Sequence, residues 1–176
     1  GKLALYNNIS VGSEDLALNK GTVSLSNESG NNSWGGSITI GQTTTINSTA
    51  GSLTLTQSMT GTNVSIATTG AGSMTLSGTL TLGTGGITNN MGTFSLYSAG
   101  NFSGATTISS GILHIRNSGS IGSGAVTVAQ GGSLQLQGGI AFTNPLTLKG
   151  TGPLGTGALQ SVAGINTVSG AISLTG

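Results

Sequence analysis

Charge is scarce in this 176-residue sequence: the acids are Glu14, Asp15 and Glu28, the cations are Lys2, Lys20, Arg116 and Lys149, and His114 is the one imidazole. Polysaccharide-cleaving chemistry needs paired carboxylates, or a Ca²⁺ cluster beside a base. Glu14 and Asp15 are neighbours in one loop, with no enforced separation and no partner base, and so read as a solvated corner. His114 lies in Gly111-Ile112-Leu113-His114-Ile115-Arg116, where alternation sends Leu113 and Ile115 inward and His114 and Arg116 out to the surface. Without cysteine or a second histidine no zinc set exists, and a serine nucleophile would have only His114 as base. A single Asp also excludes the nonapeptide calcium solenoid. The expectation is therefore no catalysis, no cofactor and no metal site.

Trp34, Tyr6 and Tyr97 are candidate sugar-stacking platforms. Trp34 has Val168 as its counterpart in a longer repeat described below, which favours a filling role in the core. Phe94, Phe102 and Phe142 sit at alternating positions and read as core. Thr43-Thr44-Thr45 and Thr54-Leu55-Thr56 raise an ice-binding reading. Such a surface needs Thr-x-Thr on one face of every coil, whereas the outward residues here vary among Thr, Ser, Ala, Gln and His.

Composition sets the frame. Charged residues are 4% of the chain and glycines number 33, against about 25% and 7% in ordinary soluble domains. Solubility falls to Ser, Thr, Asn and Gln. Four scattered cations make no basic stripe for nucleic acid. No apolar run approaches the ~20 residues of a membrane span. The chain opens mid-pattern at Gly1-Lys2-Leu3-Ala4-Leu5, as expected of a fragment of a longer repetitive protein.

What must position any of these residues is a recurring Gly-x-Φ-x-Φ, with Φ aliphatic or aromatic. It stands at residues 1, 21, 36, 51, 72, 92, 111, 132 and 170. Strict alternation over three to five residues, closed by Gly, Asn or Ser, predicts short half-buried strands. Spacings near 20 residues predict a solenoid and not the ~40-residue blades of a propeller. Each coil would turn Leu, Ile and Val inward and stack on the next at ~4.8 Å, giving nearest-neighbour stability. The pairs Asn7-Asn8, Asn31-Asn32 and Asn89-Asn90 suit corners or ladders between coils. Residues 1–40 also resemble 132–174, a longer internal repeat. No boundary between globular domains is visible, so 1–176 reads as a single continuous all-β solenoid of about nine coils.

Between residues 101 and 136 the sequence resembles the autotransporter-associated β-strand repeat, also called the passenger-associated transport repeat. Phe102, Gly104, Thr106, Thr107, Ile108, Gly111 and Leu113 fill the first half of that pattern. Gly122, Gly124, Ala125, Val126, Thr127, Val128, Gly131, Gly132 and Leu134 fill the second. The resemblance implies a right-handed parallel β-helix in a large passenger of a bacterial surface or secreted protein. It brings no catalytic residues, and the outer-membrane barrel typical of autotransporters is not in this sequence.

The expected role is a structural stalk, scaffold or adhesin-like segment on the outside of a bacterium. Its partners would be neighbouring coils, glycans or surfaces, and not nucleic acid. A filament subunit that polymerises head to tail is the alternative, and a carbohydrate-binding module the third reading.

Overall fold

Alternating residues become 24 short strands, and the one helical element is a 3-10 turn at Pro153–Gly155. The computed structural model describes all of residues 1–176. Every strand pair is parallel. The chain visits three faces in rotation. A first sheet of nine strands runs from Lys2–Leu5 to Ile172–Thr175, and a second of eight from Ser10–Val11 to Leu159–Ala163. A third holds five strands, from Leu16–Leu18 to Gly100–Phe102, and a separate pair, Ala141–Phe142 with Thr167–Val168, follows later in the chain. This is a parallel β-solenoid of eight turns, with Ile172–Thr175 opening a ninth.

Register fixes the coil length. Leu3 faces Leu25, Ile87 faces Thr106 and Val126 faces Leu146, so a turn consumes about 20 residues, within the range of solenoid repeats. The widest steps, among them Ala141 to Thr167 and Leu146 to Ile172, carry the Pro153–Gly155 insertion.

In-register stacking collects like residues into columns. On the second sheet Leu53, Met74, Phe94, Leu113 and Leu134 stack in sequence, with Leu55, Leu76, Leu96, Ile115 and Leu136 beside them. These belong to one cluster of 32 buried apolar residues running along the axis. Trp34 extends the second column between Val11 and Leu55 and is buried, as are Phe94, Phe102 and Phe142. Burial of each large side chain contributes ~1.5–3 kcal/mol, and no single turn encloses enough of them to stand alone.

Corners are where a solenoid leaves carbonyls without a ladder partner, and buried asparagines meet that need. Asn27 Nδ2 donates to Ala50 O at 2.7 Å and to Ser48 Oγ at 3.1 Å. Asn89 Nδ2 donates to Ser110 O and Ile112 O at 3.1 and 3.2 Å. Asn144 Nδ2 reaches Gly122 O and Gly124 O. Each bridges to an adjacent coil. The asparagine pairs of the sequence therefore divide by role: Asn7 and Asn8 take left-handed turns, whereas Asn32 and Asn89 are buried bridges. Elsewhere the corner demands glycine for close approach, since a Cβ on Gly104 would lie 2.3 Å from Gly85 O, and one on Gly124 2.1 Å from Gly104 O.

Two features depart from the regular pattern. The sixth turn has no third-sheet strand: the segment 117–122 forms a tight corner in which Ile121 is buried and Ser120 Oγ donates to Ser98 O at 2.8 Å. The longer repeat also changes face. Lys2–Leu5 lies on the first sheet while the matching Gly132–Gln137 lies on the second, and Leu16–Leu18 lies on the third while Leu146–Lys149 lies on the first.

Replacing Asn89 with Ala removes the donor to two part-buried carbonyls and the acceptor of the buried Thr68 hydroxyl, and an unpaired buried group costs about 1–3 kcal/mol. Urea unfolding should show a clear loss of stability, against less than about 0.5 kcal/mol for Asn101→Ala at an exposed site. Equal midpoints for the two variants would refute the bridging role.

Candidate functional site

Because Phe94, Leu96, Leu113, Ile115, Leu134 and Leu136 point into the core, their alternating neighbours must line the outer face of the second sheet. Ser95 pairs with His114, His114 with Gln135 and Gln135 with Gln160, which makes one outward column. One step further along the strands lie Tyr97, Arg116 and Gln137. The backbone fixes them there, with Arg116 N donating to Leu96 O at 3.0 Å.

Tyr97, 43% exposed, carries the Arg116 guanidinium 4.9 Å from its ring centroid. That distance is within cation–π range, an attraction of ~0.5–1 kcal/mol at exposed sites. No carboxylate pairs with Arg116, since the sole ion pair of the chain joins Lys2 to Glu28. His114 and Arg116 are half-buried, in contrast to the open surface positions expected from alternation alone. Tyr97 and the flanking glutamines shield them. Burial, followed by the Arg116 charge, holds the His114 pKa below its ordinary 6.5, and the Gln137 amide opposes the shift. His114 therefore stays neutral at pH 7. His114 Nε2 and Arg116 Nε are enclosed without a hydrogen-bond partner, two of four such atoms in the chain. An enclosed polar group left unpaired costs about 1–3 kcal/mol, so this cluster is poorly explained by stability.

A second surface lies on the first sheet near the start of the chain. An open groove of about 710 Å³ is lined by Lys2, Ser24, Ser26, Thr43, Thr45 and Asn47 among others. Its cation is already spent. Lys2 binds Glu28, which also accepts from Ser26 Oγ at 2.5 Å and Thr49 Oγ1 at 3.3 Å. The hydrogen bond from Lys2, then that from Ser26, holds the Glu28 carboxyl below its usual value. The same contact with Glu28 raises the pKa of Lys2.

The other acids stay apart from the imidazole. Glu14 and Asp15 are exposed at a corner of the first turn, where Asp15 Oδ1 accepts from Ser37 N at 3.0 Å. That bond joins the loop to the second turn. No group of three or more His, Cys, Asp or Glu side chains is assembled anywhere, and no helix is long and apolar enough to cross a membrane.

The residues that carry the repeat resemblance occupy structural positions in the fifth to seventh turns. Phe102, Leu113, Val126, Val128 and Leu134 are core, and Thr106 is buried on the first sheet. Its neighbour Thr107 faces outward in Thr106–Ile108. Gly111 and Gly122 take φ of 73° and 65°. Gly104, Gly124 and Gly132 sit where a Cβ would strike the backbone of a preceding turn. No family model matches the chain, and no curated protein or solved structure matches it either.

Sequence reasoning placed His114 and Arg116 outward but missed Tyr97 as their neighbour. The signal was available: Phe94 and Leu113 begin equivalent Gly-x-Φ-x-Φ segments, so the third residue after each, Tyr97 and Arg116, must sit side by side.

The His114 shift has a defined sign. The unfolded chain binds the imidazole proton more readily, so folding stability falls as pH drops below about 6.5. Urea midpoints should decline from pH 7 to pH 5 in the native chain and decline less in His114→Gln. Parallel declines in both would disprove the linkage. Glu28 acts separately, because its stabilisation is present above its ordinary value of 4.5 and lost at lower pH.

Proposed function

We propose that the chain is a rod segment of a bacterial surface or secreted protein, a non-catalytic stalk or adhesin-like scaffold outside the cell. The observation that carries this is the eight-turn parallel stack around one continuous apolar cluster. Such an array extends reach at a fixed increment per turn and can add coils without redesigning a core. Support also comes from the motif residues between Phe102 and Leu134, which resemble the autotransporter-associated repeat, and from the lack of cysteine. Hydroxyls and amides dominate the outer faces, a chemistry suited to weak repeated contact with glycans or surfaces.

Self-assembly is a second reading, favoured by one end of the stack. Ile172 and Leu174 are 48% and 80% exposed on the last strand of the first sheet, and Ile165 is 89% exposed. The inward column continues there as Leu148 and then Leu174. Open strand edges are templates for pairing.

Small-angle scattering with sedimentation over a concentration series separates the two. At ~4.8 Å per turn, eight turns predict a particle about 40 Å long. Constant mass at all concentrations supports the spacer. Length that grows with concentration, and that Leu174→Lys abolishes, supports head-to-tail stacking. A scattering profile of a sphere or of an expanded coil would overturn the rod.

A further inference from the structure

We infer that Tyr97, His114, Arg116, Gln135 and Gln137 form a subsite for an acidic saccharide, with Arg116 receiving its carboxylate or sulfate. The inference deepens the adhesin-like scaffold proposed above and rests on it.

Charge decides the ligand's sign. Arg116 is the cation of the cluster and has no acidic partner. Its strand Gly111–Ile115 is flanked by Thr93–Leu96 and Gly132–Gln137. The outward groups these present near Arg116 are Ser95, Tyr97, Gln135 and Gln137, with no carboxylate among them. Lys2, by contrast, is neutralised by Glu28 in the groove of the first sheet. The guanidinium is also held in place: stacking on Tyr97 restricts its rotation, so less ordering cost remains to be met on binding. A planar fork held this way suits a two-oxygen anion.

Shape decides the ligand's class. A flat sheet cannot enclose a small ion, so affinity must come from contacts spread along an extended molecule. The outward columns repeat about every 4.8 Å across the strands and ~6.8 Å along them, a mesh on the scale of a sugar ring. Uncharged amides and hydroxyls suit the ring hydroxyls while Arg116 takes the acid. The insertion at 150–157 bounds one side: Ser133 Oγ donates to Gly157 O at 2.8 Å, and Gln160 Nε2 donates to Thr156 Oγ1 at 3.0 Å.

The test is calorimetric titration of the 176-residue chain at low salt with three probes. These are trigalacturonate, its methyl ester, and a chondroitin sulfate hexasaccharide. Binding of an acidic probe should weaken about tenfold in Arg116→Gln, the loss expected for a charge-assisted pair. Tyr97→Ala should weaken it severalfold, and Lys149→Gln should leave it unchanged. Unchanged urea midpoints in Arg116→Gln would separate lost binding from lost fold. The methyl ester should bind about tenfold more weakly than the acid. Binding of the chondroitin sulfate probe alone keeps the subsite for an acidic saccharide and excludes the galacturonate backbone as its ligand.

Acidic-probe binding should also tighten from pH 7 to pH 5 as His114 gains its proton beside Arg116, and His114→Gln should flatten that profile. Equal binding by the native chain and Arg116→Gln, equal losses in Lys149→Gln, equal affinity for the ester, or no binding to any probe would each overturn the inference. A rod seen by scattering would still leave the scaffold reading standing in every one of those cases.

Discussion

Everything in this structure depends on one repeated event, the in-register parallel stacking of a turn on the turn before it. Parallel register places equivalent positions directly above one another, so each side chain meets its own kind. Inside, this produces the Leu53, Met74, Phe94, Leu113 and Leu134 column. Outside, it penalises charge. Two like charges one strand apart, at ~4.8 Å, repel by about 1 kcal/mol even in water, and a charged column would multiply that cost along the rod. The low charge content follows. Lys2 faces Ser24, and His114 lies between Ser95 and Gln135. Hydroxyls and amides can instead be stacked indefinitely because they donate and accept in turn, as Ser10 and Ser33 do at 2.8 Å.

Corners impose the opposite requirement. Between strands the ladder lapses, and a corner carbonyl turned toward the core is left without a backbone donor. Asn27, Asn89 and Asn144 answer it with side-chain amides that reach backbone carbonyls. These amides cost little in a core this narrow because each donor is used. The mixed column Leu25, Ile46, Thr68, Asn89 and Ile108 shows the balance. Apolar filling gives way to polar residues at Thr68 and Asn89, and Thr68 Oγ1 donates to Asn89 Oδ1 at 2.5 Å, so the polar pair satisfies itself.

The strands were legible in the sequence because alternation is a local property, and the coil length was legible wherever the motif recurs on one face, as at residues 51, 72, 92, 111 and 132. The face itself was not. Gly-x-Φ-x-Φ marks a corner followed by a strand, and it serves the first sheet at Lys2–Leu5, the second at Ser52–Leu55 and the third at Ile38–Ile40. The longer repeat misleads for the same reason, since its matching segments lie on different faces. The gap in the third sheet at residues 117–122 could not be foreseen either. There Ile121 fills the core from a tight corner, and no alternating triplet announces it. Of the candidate site, the outward direction of His114 and Arg116 followed from alternation. Their half-burial did not, because it depends on which residues of the neighbouring turns lie beside them.

That dependence is also what lets a rod of this design carry information. Interior columns tolerate exchange among Leu, Ile, Met and Phe, since volume and shape are what the stack tests. Exterior positions are tested weakly by folding, and the second-sheet column runs through Ser33, Thr54, Thr75 and Ser95 before breaking to His114. A break that brings a cation, an imidazole and an exposed aromatic onto two adjacent turns, and leaves two of their nitrogens unpaired, runs against the economy of the rest of the surface. Folding alone would be served as well by another serine or threonine. The residues that depart from the column's own rule are therefore the ones that the stacking of turn on turn does not explain.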